Sequence, residues 1–184
     1  MTIWYTARNT FDKTHSGWAN YIKFSGLTMV QEIVSLDFML CDPAFKWNPD
    51  KAEDWEYAIT DDNEVFNDCY SNLKYVIDKV DKKNSFNLLA VCFKPTSSCE
   101  NIFLTDFTFI GYDLIDQSHG NSALTNCGGT PEVFANSELN KFGLLDKFER
   151  AQKIQADLLI NDPNEYHADT NIWSVWRHNT LGKI

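Results

Sequence analysis

The stretch Ile102 to Gly129, IFLTDFTFIGYDLIDQSHGNSALTNCGG, constrains this chain most, because a strongly strand-like run passes directly into an unusual loop. From Phe103 to Ile115, Phe103, Phe107, Phe109, Tyr112 and Leu114 recur among Asp106, Thr108 and Asp113, with Gly111 breaking the phase. That alternation predicts a central strand carrying a bulge. Gln117 to Gly129 holds three glycines, His119 and Cys127, and its only apolar pair is Ala123-Leu124. It reads as a loop built for close backbone approach.

The other elements follow from periodicity. Ile3 to Ala7 is a short aromatic strand. Ser16 is placed to cap a helix over Gly17 to Phe24, closed by Ser25-Gly26, with Trp18, Tyr21 and Ile22 on one face. Met29 to Leu40 ends in period-two alternation of Val34, Leu36, Phe38 and Leu40 and predicts a second strand. Asp68 to Val80, capped by Asn67 or Asp68, predicts an amphipathic helix with Leu73, Val76, Ile77 and Val80 in one stripe. Phe86 to Phe93, FNLLAVCF, is short and apolar throughout, a strand buried on both faces. A short helical turn begins at Ser137. A longer helix spans Leu144 to Ile160, with Leu144, Phe148, Ala151, Gln155 and Leu158 nearly in line. Asn171 to His178 closes the chain as a strand, with Trp173 and Trp176 on opposite faces, one in the core and the other partly exposed. These elements predict a single α+β domain over residues 1 to 184. It has two layers, a mixed but mainly antiparallel sheet of about six strands with helices mainly on one face. The alternative is a three-layer α/β sandwich, in which FNLLAVCF is covered from both sides.

Residues 42 to 68 shift composition abruptly. Nine acids, including Asp50, Glu53, Asp54, Glu56, Asp61, Asp62 and Glu64, stand against Lys46 and Lys51, so seven of the ten net negative charges of the chain lie here. Trp47, Trp55 and other aromatics punctuate the segment, with a helical turn or a short strand expected at Trp55 to Ile59. It reads either as a solvated acidic loop or as a partner surface. A net charge of −10 repels nucleic-acid phosphates and anionic membranes, so the expected partner is a basic protein. No run of eighteen apolar residues and no signal-peptide pattern occur, which places the chain in the cytoplasm. The five cysteines show no CxxC spacing and read as reduced, mostly structural thiols.

An enzyme reading would use Cys127 as nucleophile with His119, His167 or His178 as base and Asn126 or Asp169 as orienter, the flanking glycines leaving amides free for an oxyanion. No local cysteine-protease signature accompanies it. His167 and Asp169 provide only two close metal ligands, and Gly128-Gly129 is not followed by the Lys-Ser/Thr of a phosphate loop, so neither a metal nor another cofactor is expected. A compact acidic α+β domain rich in aromatics and without a reaction motif is similar in these general features to bacterial toxin-neutralising immunity proteins and to phage inhibitors of host defence. The expectation is therefore a binding module, best an immunity-type protein that neutralises a basic toxin or effector. Its partner surface would comprise Trp47, Asp50, Glu53, Asp54, Trp55, Glu56, Asp61, Asp62 and Glu64. The alternatives are a phage-type inhibitor of a host defence protein and a small hydrolase or transferase built on Cys127.

Overall fold

A computed structural model describes residues 1–45, 58–61, 64–117, 120–125, 132–161, 163 and 167–181, with only the backbone described for 58–61 and 64–67. Among these described residues, eight strands and three α-helices follow in the order β1 (Trp4–Asn9), β2 (Phe11–Asp12), α1 (Trp18–Ser25), β3 (Glu32–Ile33), β4 (Ala58–Asp61), β5 (Glu64–Tyr70), α2 (Leu73–Lys79), β6 (Phe86–Phe93), β7 (Phe107–Asp116), α3 (Phe148–Asn161) and β8 (Thr170–His178). A 3-10 turn spans Asn136–Glu138. Six strands form one sheet in the order β4-β5-β1-β6-β8-β7, and β2 pairs with β3 separately. Every pairing between these strands is antiparallel, so the fold is α+β and not a three-layer α/β sandwich.

β6 sits in the interior of this sheet, between β1 and β8. Its alternation splits the core in two: Phe86, Leu88, Ala90 and Cys92 join one apolar cluster, Leu89 and Val91 the other. α2 supplies Val76 to the first cluster, and α3 supplies Phe148, Ala151, Ile154 and Leu158. The second face is closed by irregular chain, with Val34 and Leu36 from one segment and Phe142 and Leu144 from another packing on Trp173, Val175 and Val91. FNLLAVCF is thus covered on both sides, but by a helical layer and a loop layer.

Several expectations change. Trp173 and Trp176 do face opposite sides, yet both are buried, because the loop layer covers the second face as fully as the helices cover the first. The alternation of residues 34 to 40 belongs to turns, not to a strand: Ser35 and Asp37 take backbone amides onto their side chains, competing with a ladder. Only Glu32–Ile33 of the expected second strand is extended and paired. Residues 68 to 70 belong to β5, and the helix starts four residues after Tyr70's predecessor Cys69, at Leu73, where the Asn72 side chain accepts from the Tyr75 amide. α1 has Gly17 at its N-cap with no side-chain bond, whereas Gly26 closes it in a left-handed conformation, as the Ser25-Gly26 pair predicts. Phe103 is 85% exposed and lies before β7. The expected bulge is present between Phe109 and Gly111. Leu144 precedes α3, and Ile154 takes the buried position assigned to Gln155, whose side chain instead donates to the Thr170 carbonyl.

Candidate functional site

Three places bear on function. The first is the acidic segment. Trp47, Asp50, Glu53, Asp54, Trp55, Glu56 and Asp62 lie outside the described residues. Asp61 and Glu64 are described in backbone only, at the adjoining ends of β4 and β5, where they are direct cross-strand partners. Among the described residues β4 is the outermost strand of the sheet on that side. The opposite edge is covered: Tyr112 and Leu145 exchange both backbone hydrogen bonds, at 2.8 and 3.0 Å, and the Ala123 amide donates to the Leu114 carbonyl.

The second place is the loop after β7. His119, Asn126 and Cys127 lie outside the described residues, but residues 120 to 125 are all buried. Their amides are tied down, Asn121 N–H to an Asp116 carboxylate oxygen at 3.1 Å and Leu124 N–H to Ser122 Oγ at 3.1 Å. Tyr21 donates its hydroxyl to the Thr125 carbonyl at 2.8 Å. This part of the loop is a plug in the core, with Ala123 and Leu124 fully buried. His167 is also buried, with Nδ1 4.0 Å from the Asp116 carboxylate. His178 is on β8, edge-on to Phe107, and its pKa is lowered by burial.

The third place went unnoticed in the sequence. Asp113, on the second face of β7, is fully buried, and its carboxylate gathers four donors. Oδ2 accepts from Ser35 Oγ at 2.5 Å and Leu36 N–H at 3.3 Å; Oδ1 accepts from Ser122 Oγ at 2.6 Å and Leu114 N–H at 2.9 Å. Asp37, equally buried, accepts from the amides of Met39, Leu40 and Ser122 at 2.8 to 2.9 Å. Arg8 enters from β1, fully buried, with its guanidinium 5.0 Å from the Phe38 ring and a long 3.5 Å bond to the Cys41 carbonyl. Burial pushes the Asp113 carboxyl up to about 6 against the hydrogen bonds from Ser122 and Ser35, and it also raises Asp37, whose own amide bonds and nearby Arg8 oppose the shift. The signal available beforehand was the pair of acids, Asp37 and Asp113, inside otherwise apolar alternation.

Hollows of about 310 Å³, beside Trp4, Cys92 and Cys99, and about 510 Å³, beside Asn9, His15 and Lys83, open elsewhere on the surface, and neither reaches Asp113 or His167. Among the described residues no group of three His, Cys, Asp or Glu side chains is arranged to hold a metal. No described helix is long and apolar enough to cross a membrane. Comparison with protein-family models, with curated proteins and with solved structures gave no match.

Proposed function

We propose that the chain is an acidic protein-binding module, an immunity-type inhibitor that acts in the cytoplasm by covering a basic surface of a toxin or effector. The observation that carries this reading is the pairing of Asp61 with Glu64 across the β4–β5 ladder at the sheet edge. Like charges placed directly opposite each other destabilise a sheet. Here they fall within the segment that holds seven of the ten net negative charges, so a cationic partner would relieve the repulsion locally and be drawn in over a distance. Trp47 and Trp55, with Asp50, Glu53, Asp54, Glu56 and Asp62, complete the proposed surface, the tryptophans as desolvated anchors and the acids as the steering field.

The test is binding to the protein encoded beside this one, measured by stopped-flow association at several salt concentrations. Asp61→Asn with Asp62→Asn should slow association by on the order of tenfold at low salt and flatten its salt dependence. Trp55→Ala should instead speed dissociation, weakening binding by about 2 kcal/mol or more. Binding unchanged by all three substitutions in a folded protein would remove the proposal. One observation favours a second reading, a small Cys127-dependent hydrolase or transferase: the buried Asp116 carboxylate lies near His167, an arrangement that orients an imidazole. Rapid, pH-dependent alkylation of Cys127 in the native protein, suppressed in His167→Gln, is the result that would promote it.

A further inference from the structure

Residues 34 to 41 form a strap across the second face of the sheet, and residues 120 to 125 form a plug beside it. The plug is paired with β7 by backbone bonds, Ala123 N–H to the Leu114 carbonyl at 2.8 Å and Asp116 N–H to the Asn121 carbonyl at 2.9 Å, whereas residues 35 to 37 of the strap belong to no strand. Ser35 and Leu36 of the strap, and Ser122 of the plug, reach the sheet by donating to the same carboxylate, Asp113. The strap and plug are tied to each other by the Phe38 amide, which donates to the Gly120 carbonyl at 3.1 Å, and by Ser122, whose amide donates to Asp37 while its hydroxyl donates to Asp113. Each hydroxyl also accepts one amide, Ser35 Oγ from Asp37 and Ser122 Oγ from Leu124, which leaves its proton for the ionised carboxylate.

With two donors on each oxygen, Asp113 uses the full acceptor capacity of an ionised carboxylate. A proton arriving on either oxygen turns an acceptor into a donor, and the two backbone amides cannot reverse to receive it. The Leu36 amide, at 3.3 Å the longest of the four bonds, is the one left facing a poor acceptor if the proton settles on Oδ2 and is shared with Ser35 Oγ. We propose that Asp113 is a proton-operated latch: protonation of its carboxyl group loosens the strap over residues 35 to 37 while the rest of the sheet stays intact.

The surroundings bring the event into an accessible range. From β1 comes Arg8, from the strap Asp37 and Cys41, while the described plug residues 120 to 125 and the facing Trp173 of β8 carry no ionisable group. Asp113 has no ion-pair partner among the described residues. The nearby negative charge of Asp37 adds to burial in raising its pKa, so the carboxyl titrates near pH 6 and not near 4. The fold as a whole does not come apart on protonation, because the neutral acid no longer carries the penalty of a buried charge.

The experiment is an NMR titration of the full chain between pH 5 and 8, following the side-chain carboxyl carbon of Asp113 and the amides of Leu36 and Leu114. All three should move with one midpoint near 6. Exchange protection of the Leu36 amide, corrected for intrinsic rates, should fall by about fivefold to tenfold across the same range. Asp113→Asn should abolish the transition at both amides. Ser35→Ala, which removes one donor from the carboxylate, should raise the midpoint in a folded protein and serves where the first variant does not fold. A carboxyl midpoint below about 4.5, the usual aspartate range, would overturn the proposal. So would Leu36 protection that stays constant while Asp113 titrates, or an Asp113 midpoint unmoved by Ser35→Ala.

Discussion

Arg177 of β8 grips Glu32 of β3 with both terminal nitrogens of its guanidinium, at 2.8 and 3.2 Å, across 145 residues of chain. Asn87 of β6 donates to the same carboxylate at 2.8 Å. Both ionic side chains are largely sheltered, at 13% and 14% exposure, so the pair is screened far less than a surface ion pair. It is the side-chain fastening between the small β2–β3 pair and the main sheet. A double-mutant cycle with Glu32→Gln and Arg177→Met should give a coupling energy of about 1 to 3 kcal/mol in urea unfolding. A value near zero would show that solvent already competes for the fork.

Gly111 sits at the β7 bulge with φ of +141°, and a Cβ there would stand 2.7 Å from Leu144 Cβ and 2.8 Å from the Leu145 carbonyl oxygen. Neither neighbour is the far end of a flexible side chain. Gly111→Ala should therefore destabilise the fold by about 3 kcal/mol or more, combining backbone strain with overpacking. Thermal unfolding checks this, and a loss under 1 kcal/mol would mean that residues 144 and 145 yield more readily than their buried positions imply.

Stability should depend on pH through Asp113. Its pKa is raised by burial from 3.8 to about 6 in the folded state, so the fold binds the proton more tightly than the unfolded chain does. The resulting stabilisation is complete below about pH 4 and is lost as pH rises through 6, a change of about 3 kcal/mol. Asp37, raised in the same direction, adds to it with the same sign. The difference in unfolding free energy between wild type and Asp113→Asn should thus drift by about that amount between pH 4 and 7. A constant difference would show that the carboxyl keeps its ordinary pKa.

Four of the five thiols are Cys41, Cys69, Cys92 and Cys99, and all four are buried. Burial pushes Cys69 up to about 12 and Cys92 up to about 11, and it raises Cys41 as well. Native alkylation at pH 8 should modify at most one thiol per chain, against five in urea. Mass spectrometry identifies that thiol, and prompt native labelling at any of the four buried positions would contradict the packing.

What was legible in advance is what side-chain periodicity encodes. FNLLAVCF and NIWSVWRH became β6 and β8 because sheet neighbours and two covering layers left no other use for continuous apolar runs. The Gly111 bulge was legible for a similar reason, since a phase break beside glycine has few other meanings. The Val34 to Leu40 run misled because its apolar residues do face a core, but the intervening Ser35 and Asp37 turn inward as well, toward Asp113 and the amides around it. Period two reports exposure only where alternate residues meet water. At Asp68 the helical stripe was real from Leu73 onward, but Cys69 and Tyr70 belong to β5, where Tyr70 pairs with Tyr5 and Ala58, so the tertiary partner decided the boundary. Of the candidate site, His167 beside Asp116 is a spatial relation between residues 51 apart in sequence, which no local pattern encodes.

The strand order also governs when the molecule can form. β8 lies between β6 and β7, paired with each, although β6 and β7 are made long before it. Until residues 170 to 178 have been synthesised, both earlier strands present a bare inner edge, and β7 has the right spacing to slip into the vacant place beside β6. Closing the sheet is therefore a late insertion across distant parts of the chain, slow by the standards of local hairpins. During that interval the nascent protein is an adhesive object, so a chaperone that shields β6 and β7 should raise the yield of native protein without affecting its final stability.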